Sequence, residues 1–143
     1  MYVEEVFASP RLENFVSRVV RLASEELGIA PPRVRWFGMW SGRGTYWKAL
    51  DVNIGGFARP LEGVIALRRD LNLDRVTHIA LHEVRHMQQP EALRGDAAEE
   101  DACRFAREFQ SRRFDELLQA MTDTQVSDTE RGTGSARCWC EEG

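Results

Sequence analysis

Apolar residues recur at spacings of three and four between Pro10 and Leu27, and this spacing predicts an amphipathic helix. Ser9 suits the N-cap position, and Gly28 suits a left-handed helix end. The expected buried positions are Leu12, Phe15, Val16, Val19, Val20, Ala23 and Leu27. We therefore expect this helix to cover a hydrophobic core.

Short apolar runs separated by glycine-containing loops follow, and they predict strands. We place three strands at residues 33–37, 46–54 and 64–67. Because small isolated sheets are only marginally stable in water, this three-stranded sheet should pack on helices.

Two further helices with apolar stripes are predicted downstream. The first covers residues 73–89 after Asn72, a suitable N-cap. The second, longer helix covers residues 97–121. The predicted fold class is therefore α+β, with the sheet packed on an N-terminal helix and these two helices.

The composition fits one small globular domain. The chain has 143 residues, of which 43% are hydrophobic and 29% charged. We place one domain at residues 1–122 and a flexible polar tail at 123–143, which contains Cys138 and Cys140.

Charge and hydropathy narrow the expected partners. The net charge of −4 argues against nucleic acid as the main partner. Apolar runs are far shorter than the ~20 residues of a membrane span, and the acidic N-terminus lacks the features of a secretory signal. The odd number of cysteines, three, does not favour a disulfide scaffold, so a cytoplasmic location is predicted. The oligomeric state is not set by these features.

All three histidines lie on the second predicted helix, and residues 82–86 form an H-E-x-x-H motif. His82 and His86 are about 6 Å apart along the helix axis, so both can bind one zinc ion. Glu83 is offset by one position and can act as general base on a zinc-activated water. His78 and His86 are about 12 Å apart along the axis and cannot bind the same ion, so His78 is expected outside the ligand set.

A zinc site that is open for hydrolysis needs one more protein ligand. We favour Glu99, which lies beside the apolar stripe of the third helix, over Glu100. Small Ala98 and Ala102 would let the two helices approach closely. Asp96 and Glu99 also have the spacing of a capping box, and a capping Glu99 could not bind the metal.

The H-E-x-x-H motif followed by Glu99-x-Asp101-Ala102-Cys103-Arg104-Phe105-Ala106 resembles the gluzincin metallopeptidases. It is most similar to the minigluzincins and the ImmA/IrrE-type peptidases, over roughly residues 63–109. The resemblance implies a zincin-like fold and a zinc-dependent peptidase acting on a peptide or protein. It also implies one zinc ion per chain, with His82, His86 and Glu99 as ligands and Glu83 as general base. The peptide would lie along an edge strand formed by Val64, Ile65, Ala66 and Leu67.

One position departs from the family pattern. The usual Asp or Asn that supports a ligand histidine is Cys103 here, and loss of such support costs ~10–100-fold in affinity or activity. An alternative function is therefore a catalytically weak or inactive zinc-binding module for regulation or interaction. Tyr46, His78 and Arg85 are candidates for stabilising the oxyanion or supporting a ligand. A tail cysteine could also occupy the fourth zinc position and keep the enzyme latent.

Overall fold

The computed structural model describes residues 2–39, 46–48 and 55–126. These residues form an α+β fold of helices and one mixed sheet. The helices are α1 (Pro10–Leu27), α2 (Leu73–Gln88), α3 (Gly95–Arg112) and α4 (Phe114–Thr124). The strands are β1 (Tyr2–Val6), β2 (Arg33–Met39), β3 (Tyr46–Lys48), β4 (Gly56–Arg59) and β5 (Val64–Arg68).

The sheet has five strands in the order β3-β1-β2-β5-β4. Strands β2 and β5 run parallel, whereas the other neighbouring strands run antiparallel. The expectation of a three-stranded sheet was therefore wrong, because it omitted β1 and β4. Of the strand expected at residues 46–54, only β3 is described, and residues 49–54 lie outside the described part.

Strand β5 lies inside the sheet, because β2 pairs with one of its sides and β4 with the other. The expectation that Val64, Ile65, Ala66 and Leu67 form an edge strand was therefore wrong. These four residues are buried. Among the described strands, β4 forms this edge of the sheet.

Helix α1 has the bounds that its apolar spacing predicted. The Ser9 hydroxyl accepts a hydrogen bond from the backbone N–H of Leu12 at 3.2 Å, and Gly28 ends the helix with a φ of 71°. Its apolar face packs on α2, which in turn contacts β4 and β5. Helix α2 begins after Asn72, whose side chain accepts from the backbone N–H of Arg75 at 2.9 Å.

The single helix expected at residues 97–121 is two helices, α3 and α4, which meet at Arg113. The Arg113 guanidinium lies over the ring of Phe109 and pairs with Glu26 of α1 and Glu116 of α4. These contacts accompany a turn that brings α4 against α1. The spacing of apolar residues does not reveal such a turn, because it is helical in both α3 and α4.

The packed part of the chain extends beyond residue 122, where the tail was expected to begin. Helix α4 continues to Thr124, and Val126 is buried in the core. Residues 127–143, including both tail cysteines, lie outside the described part. In the part described, no helix is long and apolar enough to cross a membrane.

We expect Gly56→Ala to destabilise the protein, because β4 packs directly on α2 at this position. An added Cβ would lie 2.7 Å from Ile79 Cγ2 and 2.9 Å from the carbonyl oxygen of Ala66. Such overpacking costs about 1–3 kcal/mol in the free energy of unfolding, measurable by urea denaturation.

Gly38→Ala in β2 is the matched control. Its added Cβ would make an ordinary contact with Val6 at 3.6 Å, so we expect a change within about 0.5 kcal/mol. Equal effects of the two substitutions would contradict the close packing of β4 on α2.

Candidate metal centre

The two histidines of the H-E-x-x-H motif meet at their Nε2 atoms. His82 and His86 lie one turn apart on α2, and their Nε2 atoms are 3.0 Å apart. His82 is buried, whereas the side chain of His86 is 18% exposed. One histidine of the pair is therefore enclosed by protein and the other borders the surface.

Glu99 on α3 completes this cluster. Its Oε2 lies 2.8 Å from His82 Nε2, and its Oε1 lies 3.2 Å from His86 Nε2. Helix α3 begins at Gly95 without a side-chain cap, so the capping-box alternative for Glu99 was wrong. The neighbouring Glu100 is exposed. The structure thus brings together the three residues that the sequence proposed as ligands.

The three residues could hold one metal ion. Two ligand atoms bound to one tetrahedral zinc ion at 2.0–2.1 Å are about 3.3 Å apart, and the observed distances of 2.8–3.2 Å are close to that value. Two imidazole nitrogens and one carboxylate are also a usual donor set for zinc. The geometry and chemistry of the cluster therefore fit such an ion.

The opposite nitrogens of the two rings have partners that orient the rings. His86 Nδ1 lies 2.7 Å from Gln89 Oε1, and Gln89 Nε2 donates to the carbonyl of Ala98 at 2.7 Å. Since the Gln89 oxygen can only accept, His86 carries a proton on Nδ1. This leaves the Nε2 lone pair for a metal. Sequence reasoning missed Gln89, although its position three residues after His86, directly after the end of α2, could have indicated it.

Cys103 supports the other ring, because its Sγ lies 3.5 Å from His82 Nδ1. This sulfur belongs to a disulfide, which the odd number of cysteines did not predict. A disulfide sulfur carries no proton and can only accept, so this contact favours the His82 tautomer that carries its proton on Nδ1. Cys103 thus lies where the sequence resemblance placed a residue that supports a ligand histidine.

A second group of residues overlaps the first. His78, His82 and Cys103 also offer ligand atoms within 4.8 Å of one another, and all three are buried. His78 Nδ1 lies 3.1 Å from Gln110 Oε1 on α3. His78 is therefore absent from the His82–His86–Glu99 cluster, as the spacing along α2 predicted.

Glu83 lies at the same cleft as the cluster. The cleft is bordered by Glu83 and His86 from α2, by Glu99 from α3, and by Gly56, Phe57 and Ala58 from β4. Glu83 is only 7% exposed. Its carboxylate is therefore shielded from bulk water and lies beside the cluster and the sheet edge.

Arg85 and Tyr46 are the remaining candidates for stabilising the oxyanion or supporting a ligand. The Arg85 guanidinium forms two hydrogen bonds with the carboxylate of Asp101, at 2.7 and 3.1 Å, and lies over the ring of Phe105. These contacts lower the pKa of the Asp101 carboxyl, chiefly through the hydrogen bond from Arg85. Arg85 thus joins α2 to α3. The side chain of Tyr46 lies outside the described part of the chain.

The cluster shifts the pKa of its own members. In the metal-free protein, where an Nε2 atom can carry a proton in place of a metal ion, burial alone would raise the pKa of Glu99. Hydrogen bonds from His82 and His86 outweigh burial and lower the pKa to about 2. Burial alone would lower the pKa of His86, but the hydrogen bond to Glu99 and the nearby Glu83 charge raise it. The site therefore favours positive charge between the rings and the carboxylate.

No protein-family model, no curated protein and no solved structure matches the chain. The gluzincin resemblance therefore stays a prediction from the motifs. The α+β fold and a cluster that could hold a metal ion are shown by the structure itself.

We expect the metal-free protein to lose stability as the pH rises through the raised pKa of His86. A raised pKa contributes stability that is fully present below the ordinary value of 6.5 and lost above it. The lowered pKa of Glu99 affects stability only in acid, since its contribution is lost as the pH falls from 4.5 towards about 2.

Urea denaturation in chelator at about pH 6 and about pH 8 measures this loss. Glu99→Gln removes the main cause of the raised His86 pKa, so the variant should show a smaller loss between the two pH values. The same pH dependence in both proteins would contradict this interpretation of the cluster.

Proposed function

We propose that this chain is a zinc-dependent metallopeptidase with a small zincin-like domain. In this proposal, His82, His86 and Glu99 hold one zinc ion and Glu83 is the general base. The observation that carries the proposal is the meeting of two Nε2 atoms and one carboxylate within 3.2 Å, beside a buried Glu83. The partner is a peptide or protein substrate.

The donor atoms support zinc as the metal. When bound, zinc supplies Lewis acidity that polarises a carbonyl group and lowers the pKa of water. The protein would contribute the ring orientations that Gln89 and Cys103 impose from the opposite nitrogens. Three protein ligands leave a fourth coordination position for the reaction.

The position of Glu83 supports its role in proton transfer. Its carboxylate borders the cleft next to His86 and Glu99, yet Glu83 is absent from the ligand cluster. A carboxylate there can accept a proton from the attacking water and pass it to the leaving amine. Burial strengthens the interaction of this carboxylate with charge that develops in the transition state.

Strand β4 is the sheet edge where an extended substrate would bind. The backbone N–H of Arg68 donates to the carbonyl of Gly55 at 2.9 Å. Because hydrogen-bonded pairs alternate along an antiparallel ladder, the backbone groups of Gly56 and Ala58 then face away from β5. Both residues border the cleft that contains Glu83, so a peptide paired with β4 would pass the candidate metal centre.

A second candidate is a zinc-binding regulatory or interaction module with little turnover. The contact between Cys103 and His82 favours it, because a sulfur at 3.5 Å is a weaker acceptor than a carboxylate. Loosely supported ligands could retain a metal and still catalyse poorly. Activity assays separate the two functions.

Glu83→Gln should reduce casein or peptide cleavage by the zinc-loaded protein about 100- to 10,000-fold, the usual contribution of a general base. The zinc content measured by elemental analysis should not change, because Glu83 is not a ligand. Glu100→Gln, which alters an exposed carboxylate on α3, should retain the activity of the original protein.

The two functions predict different results for the same protein samples. Stoichiometric zinc without cleavage by the original protein, or equal cleavage by the original protein and Glu83→Gln, would favour the binding module. Protein that contains no zinc when purified without chelator would contradict both functions.

Ala58→Pro should reduce kcat/KM without unfolding the protein. Proline removes the outward N–H at an edge position, where it is tolerated, and a lost hydrogen bond costs about 0.5–1.5 kcal/mol, or roughly 2–10-fold. Ala58→Ser keeps this N–H and is the matched control. Unchanged kcat/KM in a folded Ala58→Pro variant would contradict substrate pairing with β4.

A further inference from the structure

We infer that His78, His82 and Cys103 form a second metal site when Cys103 is a free thiol. This site lies between α2 and α3 and takes zinc or another divalent cation that accepts a thiolate ligand. It uses Nδ1 of His82, whereas the proposed catalytic site uses Nε2. The inference does not depend on peptidase activity, because it concerns a different donor set.

The distance between sulfur and nitrogen supports this site. Zinc binds sulfur at about 2.3 Å and nitrogen at about 2.0–2.1 Å, which separates the two atoms by roughly 3.5 Å in a tetrahedral site. Cys103 Sγ and His82 Nδ1 are 3.5 Å apart. Ligand atoms of all three residues lie within 4.8 Å of one another, so a cation could join them with small side-chain shifts.

Gln110 prepares the ring of His78 for metal binding. The Gln110 Oε1 atom lies 3.1 Å from His78 Nδ1 and can only accept. His78 therefore carries its proton on Nδ1, and the lone pair is on Nε2. The arrangement matches the role of Gln89 beside His86, since each glutamine fixes the tautomer of one histidine.

Burial favours a thiolate site at this position. His78 is 8% exposed, His82 is 4% exposed and Cys103 is 1% exposed. A thiolate cancels one of the two charges of the cation, which lowers the cost of placing it among buried groups. Zinc and cobalt(II) both accept sulfur and imidazole ligands.

The disulfide controls whether the second donor set is complete, because only that set contains Cys103. A dithiol reductant transfers two electrons and two protons to the S–S bond, giving the Cys103 thiol and a second thiol, while the dithiol closes to a cyclic disulfide. Metal binding then releases the thiol proton to solvent. Because a neutral imidazole has one lone pair, His82 serves one of the two sites at a time.

Cobalt(II) is the probe, because a thiolate ligand gives it a near-ultraviolet sulfur-to-metal charge-transfer band. We would replace Cys138 and Cys140 by Ser in the full chain, which leaves Cys103 as its single cysteine. We would also replace His86 and Glu99 by Ala to remove the proposed catalytic site. The protein is reduced with a dithiol, the dithiol is removed, and cobalt(II) is added without oxygen.

We expect one equivalent of cobalt(II) to produce the charge-transfer band. Adding Cys103→Ser should abolish the band. Adding His78→Ala should weaken cobalt(II) binding at least about 10-fold. Loss of a residue that only supports a ligand already costs about 10–100-fold, and His78 would be a ligand itself. In the original sequence, the part of the band that Cys103→Ser removes should appear only after reduction.

Circular dichroism establishes that each variant is folded. A folded, reduced protein that has Cys103 as its single cysteine but shows no band would overturn the inference. So would cobalt(II) binding of equal strength with and without His78. Loss of peptidase activity when His86 and Glu99 are replaced tests the proposed catalytic site alone, so the two proposals can fail separately.

Discussion

Electrostatic crowding between α2 and α3 is the constraint on which the site depends. Two imidazole nitrogens and a carboxylate lie within 3.2 Å of one another, and such electron-rich atoms require positive charge between them. A proton on His86 can supply this charge, as its raised pKa indicates. A divalent cation would supply more of it. Ala98 and Ala102 on either side of Glu99 are buried, and their small side chains allow α3 to pack closely on α2.

Local patterns in the sequence predicted the parts of the molecule that local interactions determine. The caps at Ser9 and Asn72 fixed where α1 and α2 begin, because each side chain satisfies a backbone N–H of its own helix. The spacing of His82 and His86 predicted their meeting, because helix geometry alone places residues four apart on one face. Glu99 could be proposed, but excluding the capping box required the position of α3.

Contacts between distant segments determined what the sequence did not predict. Strand β4 is four residues long and begins with Gly56, so its composition is that of a loop, and pairing with β5 makes it a strand. Arg113, where α3 meets α4, pairs with Glu26, which lies far away in the chain. The support of His82 by Cys103 likewise needs the packing of α3 on α2.

Gln89 links the packing of α2 against the start of α3 to the position of the proton on His86. Its carbonyl oxygen fixes the His86 tautomer, while its amide donates to Ala98 and Asp101 at the start of α3. Separation of the two helix ends would therefore break the amide contacts and release the imidazole to exchange tautomers. Local unfolding of this connection and loss of metal affinity should then be one cooperative event. A cation that binds only when the two helix ends are together would stabilise that arrangement.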